Sequence, residues 1–286
     1  MRFYAQIIGR YCLCAWGALG AVARPAEGRA SGALPAELRA RLPNVAFVRR
    51  PGGYGLRGTN ATMFARRTGK GSSIEVFDPQ HPERPPRVLF TTESGFVWDL
   101  DLSWDGRHLL FSYKTSEDEP FHLWEIGVDG HGLRQITDGP FHDFNGVYYP
   151  DGRIVFCSSR VEAYSYCQNF LASALYTCHA DGSDIRRFDF TTLCTMKPAV
   201  LDDGSILCTR WEYQDKNIFM WQGLWTLQPD GRQLQLYYGN TITVPNSRYG
   251  GKPVPGRSTT CGRCSRSLSA TARGVTQGAR RRRAWT

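Results

Sequence analysis

Long apolar runs are missing from this 286-residue chain: no stretch approaches the roughly 20 consecutive apolar residues of a membrane helix, so a soluble mature protein without a membrane span is expected. Also missing are the signatures of common chemistry. There is no G-x-S-x-G, no H-E-x-x-H and no glycine-rich turn from strand to helix, and GGYGLRG (52–58) precedes no helical pattern. Hydrolase, kinase and dehydrogenase readings therefore lack their apparatus. No Cys-x-x-Cys-His occurs, and the single C-x-x-C, Cys261-Gly-Arg-Cys264, is followed by Ser265, so no haem-attachment motif is present. The body has no excess of either charge. The formal +9 comes from 35 basic against 26 acidic residues, but residues 251–286 hold nine bases and no acid, which leaves 26 of each sign in residues 1–250. Such a body has no surplus positive charge to follow a phosphate backbone, so nucleic acid is not an expected partner for it.

What is present begins with an export signal over residues 1–23. Arg2 and Arg10 precede an apolar run from Tyr11 to Ala23 that ends in Ala21-Val22-Ala23, the small-x-small pattern of a cleavage site; a buried N-terminal helix is the competing reading. Residues 24–44 read as a linker, in which AELRARL (36–42) has helical character. Export to the periplasm or beyond permits disulfides. Of nine cysteines, Cys157, Cys167, Cys178, Cys194 and Cys208 fall in the body, and an odd five cannot all pair. Cys157 and Cys208 sit in apolar strand-like runs and are expected to be small buried hydrophobes, whereas Cys167 with Cys178 or with Cys194 is the expected disulfide.

Repetition organises residues 45–254. An Asp-Gly followed by a short apolar strand occurs in SWDGRHLLFSY (103–113), YPDGRIVFCSS (149–159) and LDDGSILCTRW (201–211), with Asp105, Asp151 and Asp203 spaced 46 and 52 residues apart. A second Asp-Gly, preceded by an aromatic-apolar strand, interleaves with it in LWEIGVDGHGLRQIT (123–137), LYTCHADGSDIRRF (175–188) and LWTLQPDGRQLQLYY (224–238), where Asp129, Asp181 and Asp230 are 52 and 49 apart. An earlier, degenerate copy, SIEVFDPQHPERPPRVLF (73–90), puts Asp78 51 residues before Asp129. Asp-Gly between two β-prone runs marks a tight hairpin in which glycine takes positive φ. Two hairpins per unit make a four-stranded antiparallel blade with two apolar faces. Blades bury both faces only by packing around an axis, so the expected fold is all-β, a β-propeller with about four blade units and an incomplete ring. A sandwich does not explain two turns recurring at near-constant period, and solenoid repeats are shorter. Within VEAYSYCQNFLASALY (161–176) a turn or two of helix is expected.

The paired boxes resemble the TolB-type, WD40-like propeller repeat. More specifically, YYPDGRIVFCSSR (148–160), DGSILCTRWEYQDKN (203–217) and GLWTLQPDGRQLQLYYGN (223–240) resemble the N-terminal propeller region of hydrazine synthase alpha subunit-like proteins, over roughly residues 54–254. The resemblance implies an exported protein. It also implies relatives that carry c-type haem in later domains and, in the synthase itself, make hydrazine from nitric oxide and ammonium-derived nitrogen. With no haem motif in these residues that redox chemistry does not transfer, and no cofactor is expected in this chain.

After RYGGKPVPG (248–256) the aromatic pattern stops, and residues 255–286 read as a disordered basic tail. Arg280 to Arg283 suit a basic arm for nucleic acid or acidic headgroups; an out-of-frame segment ending a truncated propeller explains the abrupt change better. Within the body, His142, Asp143 and Cys157 form the one cluster mixing imidazole, carboxylate and thiol, a candidate metal site set against a solvated His142. His108, His122 and His179 are expected as half-buried strand residues. The Asp of each Asp-Gly is assigned to turn geometry. Arg210-Trp211-Glu212-Tyr213 offers either an arginine stacked on an aromatic or a buried strand end with an ion pair. Two functions remain: a non-catalytic exported propeller binding a protein partner or small ligand on a face or in its channel, and a piece of a haem or metal redox enzyme.

Overall fold

The computed structural model describes residues 7–8, 35–50, 70–164, 171–191, 194–211, 222–239, 247–253 and 260–265. They form an all-β propeller. The first sheet holds β1 (Ile7–Ile8), β2 (Val45–Arg49), β3 (Ser72–Phe77) and β4 (Arg87–Thr92) in that order, with a short helix α1 (Ala36–Ala40) ahead of β2. The second holds β5 (Phe96–Leu102), β6 (His108–Lys114), β7 (His122–Gly127) and β8 (Arg134–Gln135). The third holds β9 (Asp143–Tyr148), β10 (Ile154–Ser158), β11 (Ala174–Cys178) and β12 (Arg186–Arg187). The fourth is built from β13 (Cys194–Val200), β14 (Ile206–Trp211), β15 (Gln222–Leu227) and β16 (Gln235–Tyr238). All neighbours within these four sheets are antiparallel.

A last pair, β17 (Ser247–Pro253) and β18 (Thr260–Ser265), is antiparallel and touches the fourth sheet through one parallel pairing, Gln222 with Ser247. β17 packs beside β13 as β13 does beside β9 and β9 beside β5, which puts it in the inner position of a further blade. The described sheets do not close a ring. Ile7–Ile8 lies within the segment read as an export signal, and Thr260–Ser265 within the segment read as a tail; both pair as strands. Of the two helical expectations, Ala36–Ala40 is helix. Within 161–176 the described residues give only a bridge between Tyr164 and Leu171 and the start of β11.

The Asp-Gly repeats do what their chemistry dictates. In all six turns the glycine N–H donates to the carbonyl three residues back, and the Asp Oδ1 accepts the N–H two residues on, from Arg107, His131, Arg153, Ser183, Ser205 and Arg232. The six glycines have φ between 73° and 93°, the left-handed conformation that costs glycine little. Each turn is therefore a type I turn closed by a glycine bulge. Hydroxyl bonds from Ser103, Ser183 and Ser205, followed by the turn N–H, hold Asp105, Asp181 and Asp203 below the usual carboxylate range, and the His131 N–H does the same for Asp129.

Sheets pack face to face because their middle strands are apolar on both sides. In β6, Leu109 and Phe111 join Val48 and Ile74 of the first sheet, while Leu110 joins Ile154, Phe156 and Tyr176 of the third. Strands buried on both faces read as continuous apolar runs rather than alternating ones, and truncating such a leucine costs about 2–5 kcal/mol. At the perimeter, each blade's second Asp-Gly turn is clasped by the previous blade. Arg87 donates to the carbonyls of Val128 and Asp129, and Arg134 to that of Ala180. A Cβ on Gly182 would stand 1.9 Å from the Ile136 carbonyl oxygen, and one on Gly231 2.0 Å from that of Phe188. Only glycine admits this approach.

Candidate functional site

Each inner strand breaks register at one place: 98–99 in β5, 145–146 in β9, 197–198 in β13 and 250–251 in β17 lie between the paired residues on either side. Such bulges re-aim side chains. Three of the four have positive φ at the first position, 54° at Asn145, 53° at Lys197 and 64° at Gly250, and the first two are unusual for residues with a side chain. The backbone is held there by a repeated inter-blade bond. Asn145 N–H donates to Ser112 Oγ (2.9 Å), Lys197 N–H to the Cys157 sulfur, and Gly250 N–H to Thr209 Oγ1 (2.9 Å), in each case on the previous blade.

These bulges bring side chains from five strand groups together, which is possible only at the axis. Arg50, just after β2, donates to the Trp98 carbonyl (2.9 Å) and lies over the Trp98 ring at 5.2 Å. Asp99 of β5 accepts from Ser112 N–H (3.0 Å) and Ser112 Oγ (2.5 Å) at Oδ1, and from Asn145 Nδ2 of β9 at Oδ2. Lys197 of β13 puts Nζ 3.9 Å from Asp99 Oδ2, 5.6 Å from the Trp98 ring centre and 6.0 Å from that of Tyr249 in β17. Lys252 directly follows the bulge of β17, the strand packed beside β13, and its charge acts on both Asp101 and Lys197.

Burial sets the proton affinities. The Lys197 ammonium, 17% exposed, is depressed to about 8 by desolvation, opposed by Asp99 and reinforced by Lys252 and Arg50. Burial lifts Asp101 to about 6; Lys252 and the Tyr148 N–H, which donates to Oδ2 at 2.9 Å, pull the other way, and Asp99 adds to the rise. Burial also pushes the Cys157 thiol far up, so it is an inert thiol beside Lys197.

The residues singled out from the sequence lie elsewhere or in other roles. His142 Nδ1 accepts the Phe121 N–H (3.2 Å), Asp143 is held by Ser158 Oγ (2.6 Å) and Arg160 (2.7 Å), and Cys157 is core. The three are not brought together as ligands, and among the described residues no three His, Cys, Asp or Glu side chains form a metal-binding group. Asp143 has its charge matched by Arg160, so it serves to join β9 to β10 rather than to bind an ion. Cys178 is a free buried thiol, so the Cys167–Cys178 pairing is not formed; Cys194 is buried at the start of β13, and Cys167 is outside the described residues. Cys157 and Cys208 are buried as expected. His122 is half-buried, whereas His108 and His179 are exposed, because His108 opens β6 beside its Asp-Gly turn and His179 follows the end of β11. Arg210 stacks on Trp225 at 5.2 Å and Trp211 is buried; Glu212, Tyr213 and GGYGLRG (52–58) are outside the described residues. Covalent haem needs two accessible thiols and an adjacent histidine, and the described body cysteines are buried in strands while Cys264 precedes Ser265, so the residues present do not fit that group.

Sequence reasoning missed Trp98, Asp99, Asn145, Lys197 and Lys252. Their signal was available: the bulge falls six or seven residues before the first Asp-Gly of a blade, where Asp99, Asn145 or Lys197 interrupts an otherwise apolar strand.

No protein-family model matches the chain. A stretch of 98 residues, 31% of the chain, is 30% identical to hydrazine synthase subunit alpha of Kuenenia stuttgartiensis and spans 12% of that subunit. The Kuenenia stuttgartiensis hydrazine synthase structure superposes with a TM-score of 0.59 at 19% identity, over 73% of this chain and 33% of that one. A puromycin hydrolase structure gives 0.52 at 14% identity, over 78% of this chain and 32% of that one. The chain thus spans about a third of each matched structure and 12% of the matched subunit; its fold is a β-propeller similar to that within hydrazine synthase, and its 98-residue stretch is similar in sequence to subunit alpha.

Proposed function

We propose that the chain is an exported, non-catalytic propeller that binds a ligand or partner at its axis. The observation that supports this is the meeting of Arg50, Trp98, Asp99, Lys197, Tyr249 and Lys252, drawn from separate sheets onto bulges that repeat in backbone and differ in side chain. Turns and cores repeat from blade to blade, whereas this one position carries different chemistry on every blade, as a recognition site on a scaffold does. The periplasm or the exterior is the proposed location, resting on the N-terminal pattern.

Native mass spectrometry of the full chain purified from the periplasm tests the reading. A mass retained under native conditions and shed on denaturation is expected in the parent and in Leu133→Ala at the rim, and is expected to be lost from Tyr249→Ala. Retention by Tyr249→Ala, or a bare chain throughout, overturns axial binding. Absence of the chain from the periplasmic fraction overturns export. The second reading, a piece of a haem-dependent redox enzyme, is favoured by the match to hydrazine synthase subunit alpha. One equivalent of iron in the purified chain would carry that reading instead.

A further inference from the structure

We infer that the axial site takes a small anion bearing a carboxylate or phosphate group, held between the ammonium groups of Lys197 and Lys252; this rests on the axial-binding reading above. Three cations, Arg50, Lys197 and Lys252, and two carboxylates, Asp99 and Asp101, gather where these strands converge: Lys197 Nζ is 3.9 Å from Asp99 Oδ2, and Lys252 directly follows the bulge of β17, the strand packed beside β13. The carboxylates are already engaged. Asp99 spends Oδ1 on the two Ser112 donors and Oδ2 on Asn145, and Asp101 Oδ2 takes the Tyr148 N–H. Lys197 Nζ stands 3.9 Å from its nearest carboxylate oxygen, beyond hydrogen-bond length. Neither lysine head has a hydrogen-bond acceptor among the described residues.

A more deeply buried lysine shows what a structural role looks like. Lys114, 3% exposed, also lies over an aromatic ring, Phe121 at 5.6 Å, yet its Nζ donates to the Glu117 carbonyl at 2.6 Å. Lys197 is half-buried rather than buried, yet an ammonium largely withdrawn from water without such an acceptor is unfavourable, and the like charges of Lys252 and Arg50 add to the cost. An anion between the two lysines supplies the acceptors and relieves the repulsion. The flanking Trp98 and Tyr249 rings narrow the approach to Lys197, which favours a small molecule over a macromolecular surface.

The test is the thermal unfolding midpoint of the full chain titrated with succinate or with inorganic phosphate, each against sodium chloride at matched ionic strength. A saturable rise with succinate alone identifies a carboxylate ligand, and with phosphate alone a phosphate ligand; either supports the site. Lys197→Asn and Lys252→Met should each weaken that binding about tenfold, the worth of one charge-assisted hydrogen bond, while Lys197→Arg stays within about threefold. Asn suits the backbone there, since Asn145 occupies the matching bulge at φ 54°. Should Lys197→Asn fail to fold, Lys252→Met reads the same prediction from a neighbouring strand. Midpoints that follow the chloride line for both probes overturn the anion. If the parent sheds a copurified neutral mass that Tyr249→Ala lacks, axial binding survives and only its chemistry is wrong. A rise undiminished in both lysine variants places the ion elsewhere and also overturns the inference.

Discussion

The rim and the axis of this propeller are built on the same period but to opposite rules. At the rim, Gly182 and Gly231 each press against a carbonyl of the previous blade, and the Asp-Gly turn around them is chemically the same each time. At the axis a bulge recurs in β5, β9, β13 and β17, and in the last three its first N–H reaches back one blade, yet its first residue is Trp98, Asn145, Lys197 or Gly250 in turn. Where every copy is the same, the residue answers to geometry alone. Where the backbone repeats and the side chain does not, it is free to answer to a ligand.

The sharpest way to break this comparison is Gly182→Ala. The added methyl meets the Ile136 carbonyl oxygen at a φ of 87°, so a loss of about 3–4 kcal/mol in urea unfolding is expected; a loss no larger than that of an open turn glycine would remove close packing from the description of the rim. At the axis, Asp99→Ala strands the Ser112 and Asn145 donors and leaves Lys197 without its nearest countercharge, for about 2–3 kcal/mol. An effect under half a kilocalorie (~0.5 kcal/mol), as at an ordinary surface site, would show that Asp99 does not hold the bulges together.

The two shifted axial groups predict a pH signature that the rim lacks. Asp101 titrates near 6 in the fold against 3.8 unfolded, so between those values the folded state binds more protons and stability falls as pH rises. Lys197 titrates near 8 against 10.5, so the folded state binds fewer protons in that window and stability climbs with pH. Both burial penalties are fully present from pH 6 to 8. Asp101→Asn, whose amide oxygen still accepts the Tyr148 N–H, should therefore gain about 1–2 kcal/mol at pH 7 and lose most of the gain by pH 4. A gain that is flat with pH contradicts the assignment. Smallest of all, Gly152→Ala has φ 90° but open space around it, and should cost only about 1 kcal/mol, which isolates the turn's backbone from the packing that Gly182 adds.

The scaffold was legible because its determinants are local. Asp-Gly fixes a turn within four residues, and a run such as HLLFSYK needs two apolar faces wherever it lies. The axial site was missed, because Arg50, Asp99 and Lys197 meet across a span of 147 residues, and the one trace they leave, a polar residue six positions before the first Asp-Gly of a blade, becomes a signal only once the blades are aligned on their turns. His142, Asp143 and Cys157 drew attention for the opposite reason. They are close in the chain, but on inner strand β9 and its partner β10 Asp143 turns to Ser158 and Arg160 while Cys157 joins the core and receives the Lys197 amide. Proximity in sequence says little about a side chain whose neighbour across the sheet decides its direction.

The reach of each bulge amide to the preceding blade also bears on how the molecule holds together in time. Because Asn145 leans on Ser112, Lys197 on Cys157 and Gly250 on Thr209, these backbone bonds couple each blade to its neighbour, as in a one-dimensional chain, and only the axial contact of Lys197 with Asp99 described above reaches past the adjacent blade. Opening one seam then exposes two blade faces without unzipping the rest, so amide exchange is expected to proceed in blade-sized steps, with interior seams outlasting those at either end of the row.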